Sequence, residues 1–235
     1  MQWESNGKDY DKSKCFCRST KAEICDGKVL VHVNAFVGIN MSLPFIEMKL
    51  TYTFDDRIGI DCDAKFRRKL PYLPRFGFKL TMPEGSEDVR YFGYGPYESY
   101  ADKRLASKMG LFRTTATDNF EHYVRPQENS AHYGCKWADV TSIAGHGLYF
   151  SADSFSLSVS HFSPEYLTGV NHDFELVPER DTTVIIDYKT SGIGSASCGP
   201  ELAEEYRITE EDIKFKFFIK PVFTGNILPF KEYRK

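Results

Sequence analysis

The stretch that decides the fold is Val29-Leu30-Val31-His32-Val33-Asn34-Ala35-Phe36-Val37, in which Val or Ala occupies every odd-numbered position. Because successive side chains of a strand point to opposite faces, this period of two predicts a β-strand with one apolar face. A similar alternation recurs along the chain, at residues 48–54, 58–64, 76–82, 155–161 and 213–219. Strands of this kind are typical of antiparallel sheets that pack face to face.

Turn-forming residues separate these segments, as at Asp26-Gly27, Asp55-Asp56-Arg57, Pro83-Glu84-Gly85 and Gly145-His146-Gly147. No helical pattern is long, although residues 102–108 and 200–206 are each predicted to supply one or two helical turns. No repeat and no interdomain linker interrupts the series. We therefore predict an all-β fold, a large antiparallel β-sandwich that forms a single domain over residues 1–235.

The charge balance of the chain argues against nucleic acid and membranes as partners. The 235 residues include 30 Lys and Arg against 33 Asp and Glu, a net charge of −3, which predicts neither a nucleic-acid nor a membrane partner. No apolar stretch approaches the roughly 18 residues that span a bilayer, and the first residues lack a signal-peptide pattern, so we expect a cytoplasmic protein. Aromatic residues make up 15% of the chain, which suits either a β-sheet core or a sugar-binding surface.

The cysteine and histidine spacings indicate no metal site. The six cysteines include no CxxC pair, and the six histidines show no HxH or HExxH spacing. A chain of this length does not need disulfides to fold, so we expect free thiols.

Three loops concentrate glycine, proline and polar residues. In residues 91–102 we expect a rigid loop that depends on Gly95, Pro96, Glu98, Tyr100 and Asp102. In residues 123–129 we expect Gln127, Glu128 and Asn129 to satisfy local polar groups, with Arg125 as the ion-pair partner of Glu128. Residues 187–201 hold three glycines and three serines, and such small side chains suit close approach to a ligand or another domain.

Taken in this order, the three loops resemble the C-terminal, small-chain domain of family 2 β-galactosidases. Residues 92–103 are similar to the family pattern FGxGPxExYxDR, and residues 126–129 with Trp137 are similar to PQENG followed by Trp. Residues 192–200 are similar to the family's glycine-rich loop, residues 73–77 to its LPRxG phrase, and Glu205-Tyr206 to its EY stretch. The resemblance runs from about residue 3 to residue 221.

The resemblance implies a supersandwich fold like that of galactose mutarotase, acting as an accessory domain. The family's catalytic carboxylates lie on a separate (β/α)8 barrel, which needs roughly 250 residues and has no counterpart in this sequence. We therefore expect this chain to be an N-terminally truncated part of an enzyme that hydrolyses terminal β-D-galactosides such as lactose, and to be inactive alone. The barrel is the implied partner, and the resemblance leaves open whether the protein forms a homo-oligomer. No cofactor is implied in this chain, whereas the family enzyme often binds Mg and Na in its catalytic domain.

The family also implies a substrate rim at Ser197, Cys198 and Gly199. Some members carry a Trp at the position of Cys198, against which sugar stacks. Cysteine cannot stack on a pyranose ring, so we expect Cys198 to shape the rim instead.

Two alternatives remain open. An independent galactoside-binding module would use the aromatic side chains of Tyr94, Tyr97 and Tyr100 as its platform. An aldose-1-epimerase-like enzyme would need a histidine and a carboxylate as acid and base, and the candidate residues are His122, His132, His172 and Glu175.

Overall fold

The computed structural model describes residues 12–38, 44–67, 72–194 and 201–224, of which about 60% lie in strands. The strands are β1 (Lys14–Cys25), β2 (Lys28–Gly38), β3 (Ile46–Phe54), β4 (Ile58–Phe66), β5 (Arg75–Met82), β6 (Ser86–Gly95), β7 (Lys108–Thr115), β8 (Ala131–Ser142), β9 (His146–Ser160), β10 (Thr182–Thr190) and β11 (Asp212–Phe223). One α-helix, α1 (Pro164–Gly169), and the 3₁₀ helices Asp173–Glu175 and Glu204–Tyr206 complete the described elements. The pairings given below are all antiparallel, which confirms the predicted all-β antiparallel fold.

The chain divides into two compact units, and the first comprises residues up to Leu73 together with Ile208–Lys220. Its strands pair in the order β1-β2-β3-β4-β11. A two-residue turn joins β1 to β2, and Asp26 and Gly27 both have positive φ, at 50° and 76°, as that hairpin turn requires. The strand register places apolar side chains on one face, where a buried core forms from Leu50, Ile60, Cys62, Ala64, Ile213, Phe215 and Phe217.

The second unit comprises Pro74–Arg207 and the residues from Pro221 onward. Its strands pair in the order β5-β10-β9-β8-β6-β7. The largest fully buried side chains of this unit are mostly aromatic: Trp137, Tyr91, Tyr100, Phe150 and Phe155. Because these rings are buried, they belong to the β-sheet core and not to a sugar-binding surface.

The short helical predictions were only partly right. Residues 102–107 form turns and irregular structure, and Lys108 already begins β7. Tyr100 and Lys103 exchange two backbone hydrogen bonds of 2.9 and 3.1 Å that close a tight loop at the start of this segment. Within 200–206, Glu204–Tyr206 forms one 3₁₀ turn, and helix α1 was not predicted at all. The single domain over residues 1–235 stays a prediction.

Two further observations concern the described residues alone. The cysteines Cys15, Cys17, Cys25, Cys62 and Cys135 are free thiols, as expected. None of the helices in this part of the chain is long and apolar enough to cross a membrane.

Candidate functional site: a junction of three loops

Three segments of the second unit meet at one place, which we call the loop junction: residues 95–103, which start at the last residue of β6, residues 119–130 before β8, and residues 191–194 after β10. Each contains residues that the sequence singled out. The loop junction is tightly packed at Gly95, its first residue. A Cβ added there would lie 2.3 Å from the Tyr91 hydroxyl oxygen. Only glycine fits at that position without displacing a neighbour.

Glu98 joins the first segment to the second. Its side chain is 5% exposed, and its Oε2 accepts a hydrogen bond of 3.0 Å from the Ser130 backbone N–H. The Lys103 ammonium and the Tyr123 hydroxyl both donate to Oε1. Although burial opposes the charge of Lys103, its hydrogen bonds to Glu98 and to the Tyr123 hydroxyl raise the pKa of its ammonium to about 12. The buried carboxylate is therefore neutralised by a partner five residues away and is fixed on both oxygens.

Tyr100, two residues after Glu98, has no exposed surface. Its hydroxyl oxygen accepts a hydrogen bond of 3.4 Å from the Ala131 backbone N–H, and burial raises its pKa well above the usual value. A buried ring cannot stack on a sugar. The prediction that Tyr100 belongs to an aromatic platform with Tyr94 and Tyr97 was therefore wrong. Of the other two, Tyr97 is exposed and Tyr94 is half-buried.

Asp102 joins the first segment to the glycine-rich third segment. Its Oδ2 accepts a hydrogen bond of 2.9 Å from the Gly194 N–H, and its Oδ1 accepts one of 3.2 Å from the Ile193 N–H. The carboxylate sits so close to Gly192 that a Cβ there would lie 2.0 Å from Asp102 Cγ. We call this arrangement the Asp102 clamp. It holds the chain immediately before the residues predicted as the substrate rim, and Ser197, Cys198 and Gly199 themselves lie outside the described residues.

Arg75 forms the charged floor of the junction. Its Nη2 and Nε donate to Asp187 Oδ2 over 2.6 and 3.2 Å, and its Nη1 donates to Glu128 Oε2 over 2.8 Å. The Asp187 side chain is 1% exposed, whereas those of Arg75 and Glu128 are 26% and 33% exposed. The predicted Arg125–Glu128 pair was therefore wrong, because β5 brings Arg75 to Glu128 while Arg125 is exposed.

The remaining polar residues before β8 bond locally. The Asn129 side-chain amide donates to the Gln127 carbonyl over 2.9 Å, and its Oδ1 accepts from the Glu121 N–H over 3.2 Å. Pro126 and Asn129 are buried, while Gln127 is exposed. Gln127 thus contributes its backbone rather than its side chain.

The histidines considered for an epimerase are spread between core and surface. His132 is 1% exposed, stacks on Tyr91 with ring centroids 4.0 Å apart, and bonds to Asn119 Oδ1 over 2.7 Å through Nε2. Burial lowers the pKa of His132 to about 4, so the ring is neutral at pH 7. His122 and His172 have exposed side chains, and they bond to Asp173 and Glu175 in and beside a 3₁₀ helix.

Sequence reasoning missed Asp187, Lys103 and Ser130 as members of the junction. A signal for Asp187 was present, since an acidic residue directly after Val184-Ile185-Ile186 is unusual in a buried strand. Among the described residues, no group of three or more His, Cys, Asp or Glu side chains could hold a metal ion.

Comparison with known proteins gives the family. Residues 1–219 match the family model described as "Beta galactosidase small chain". The chain is 42% identical over 164 residues to a β-galactosidase of Actinobacillus pleuropneumoniae and 42% identical over 163 residues to one of Staphylococcus xylosus, in each case covering 69% of this chain and 16% of the relative. A β-galactosidase of Streptococcus thermophilus is 28% identical over 210 residues, covering 86% of this chain and 20% of the relative.

A solved structure assigned as an aldose 1-epimerase from Escherichia coli K12 aligns with a TM-score of 0.42 and 8% identity, over 87% of this chain and 69% of that one. Neither value is high enough to support an activity. The chain thus matches about a sixth to a fifth of the length of the curated relatives, in the part that their family model describes. This chain belongs to the β-galactosidase small-chain family.

Proposed function

We propose that this chain is an accessory domain of a β-galactosidase, which completes the rim of the active site and supports assembly of the enzyme. The catalytic carboxylates, with any Mg or Na, belong to a separate (β/α)8 barrel, and the substrate is a terminal β-D-galactoside such as lactose. The chain alone has no hydrolytic activity. We place the enzyme in the cytoplasm.

The observation that carries this proposal is the Asp102 clamp. The resemblance implies that Ser197, Cys198 and Gly199 meet the substrate, and Gly194 is three residues before Ser197. A rim residue can shape a binding site only if its backbone is held in place. Two amide hydrogen bonds to one carboxylate, with no room for a side chain at Gly192, provide such an anchor.

The acidic residues of the junction support a non-catalytic role. A retaining glycosidase needs one carboxyl group as acid and base and another as nucleophile, about 5–5.5 Å apart and facing the sugar. Glu98 accepts a hydrogen bond from the backbone N–H of Ser130, and Asp102 accepts from two backbone N–H groups of the glycine-rich segment. Asp187 is buried against Arg75. These carboxylates are engaged in holding loops together.

The test uses the Staphylococcus xylosus relative shortened by the region that matches this chain. We expect neither protein alone to hydrolyse nitrophenyl galactoside appreciably, and the mixture to regain activity. Asp102→Asn should lower the regained activity about tenfold, because the amide group offers an N–H where the loop needs an acceptor. The matched control is Asp61→Asn, an exposed aspartate of the first unit that pairs with Lys216 over 2.8 Å. A mixture no more active than the shortened enzyme contradicts the proposal.

A further inference from the structure

The second unit carries an apolar surface that is exposed in the part of the chain that the structure describes. Tyr97, Leu105, Met109 and Leu111 are 62%, 103%, 41% and 58% exposed, and all four lie within fifteen residues of sequence. We call this surface the β7 face. Single exposed apolar residues are ordinary, but several close together mark an interaction site.

The strand geometry places two of these side chains, those of Met109 and Leu111, on one side of the sheet. Met109 and Leu111 are two residues apart on β7, so they point to the same face. Across the strand pair, Met109 lies opposite Tyr94 and Leu111 lies opposite Phe92. Phe92 packs against the buried cluster around Trp137, so the part of the β7 face that Leu111 forms rests on the core.

β7 also ends the row of strands. Within residues 72–194 it pairs with β6 on one side and with no strand on the other. A free strand edge beside exposed apolar side chains is a surface that proteins usually cover.

Positive charge borders the β7 face. The guanidinium carbon of Arg104 lies 4.9 Å from the ring centroid of Tyr133 and 5.6 Å from that of Tyr94. Neither Arg104 nor Lys108 has a carboxylate partner among the described residues. The complementary partner is therefore an apolar surface that carries carboxylates at its border.

The β7 face and the Asp102 clamp are adjacent along the chain. Asp102 holds Gly194 of the glycine-rich loop, and Arg104 and Leu105 follow it by two and three residues. A protein seated on the β7 face would therefore lie beside the loop that leads to the predicted rim.

We propose that the β7 face is the docking surface for the catalytic barrel of the β-galactosidase, which supplies an apolar patch bordered by carboxylates. This inference rests on the proposed function, since it names the surface through which the accessory domain reaches its partner. Leu111 and Leu105 enter apolar positions of the barrel, and Arg104 pairs with a carboxylate there. The loop 95–103 is then held from both sides, by the Asp102 clamp and by the barrel.

The test measures the dissociation constant between this chain and the shortened Staphylococcus xylosus enzyme by surface plasmon resonance. We expect Leu111→Glu and Arg104→Glu each to weaken binding at least about tenfold, as truncation of a central interface residue commonly does. Ile143→Glu is the matched control, because Ile143 is 96% exposed in the β8–β9 turn of the same unit, and it should change binding less than about twofold. Unchanged circular dichroism and melting temperature confirm that each variant is folded.

Two adverse outcomes have different meanings. If the parent chain binds and restores activity, and Leu111→Glu and Arg104→Glu do so equally well, the docking surface is wrong while the proposed function stands. If the parent chain neither binds nor restores activity, the proposed function fails and the docking surface fails with it.

Discussion

Replacing Arg75 by Met tests how much the charged floor stabilises the second unit. The substitution keeps an unbranched side chain but removes the guanidinium that bonds to Asp187 over 2.6 Å and to Glu128 over 2.8 Å. Asp187 is 1% exposed, so its carboxylate would be left buried without a partner. Removing one partner of a buried ion pair costs about 3–5 kcal/mol, and Arg75 is about a quarter exposed, so we expect a loss near the lower value.

For a chain of this size, 1 kcal/mol corresponds to a shift of roughly 2–4 °C in melting temperature, so Arg75→Met should lower it by about 6–12 °C. The assay is thermal and urea unfolding followed by circular dichroism. The control is Arg113→Met, which removes an arginine that is 72% exposed and pairs with Asp88, and should cost less than about 1 kcal/mol. The double variant Arg75→Met with Asp187→Leu should recover part of the loss, because no buried charge remains at residue 187. If Arg75→Met melts within about 2 °C of the parent, the buried ion pair does not stabilise the junction.

Gly192→Ala should destabilise the chain by about 1–3 kcal/mol in urea unfolding and lower the activity regained with the shortened enzyme, because the new Cβ would lie 2.0 Å from Asp102 Cγ. Gly169→Ala is its control, since a Cβ there meets nothing within 4 Å, and an equal effect of both would refute the clamp. His132 has a pKa lowered by burial to about 4, so its contribution to stability is complete above pH 6.5 and is lost as the pH falls towards 4. Between pH 7 and pH 4.5 the free energy of unfolding should fall by up to about 3 kcal/mol more in the parent than in His132→Leu. An equal pH dependence in the two proteins would show that His132 is not the group responsible.

The strands were predictable where burial is one-sided. β4 and β11 bury alternate side chains over most of their length, so their period of two was visible in the sequence. β2 has the clearest alternation in the sequence, yet most of its residues are only half-buried. β8 was not visible in this way, because it is buried on both faces and shows no alternation. Helix α1 has only six residues, too few for a helical period, although Ser163 before Pro164 is an N-cap signal.

The sequence predicted which segments contain the residues of the loop junction, but not which residues bond to each other there. The sequence indicated that Glu98 and Asp102 fix loops, and the structure shows which atoms they hold. It did not indicate that Arg75 would bond to Asp187, 112 positions away, because charge alone does not select one partner among many. The nearer choice, Arg125 for Glu128, was wrong for this reason. Partners at such separations follow from the pairing of β5 with β10, which the alternation of apolar residues does not specify.

The most direct test of an accessory role in a β-galactosidase is a titration of the shortened Staphylococcus xylosus enzyme with this chain, with lactose hydrolysis as the readout. We expect no hydrolysis by the chain alone, and activity that rises with added chain and levels off at one chain per shortened enzyme. Hydrolysis by the chain alone, or a mixture whose activity does not change at any ratio, would contradict that role.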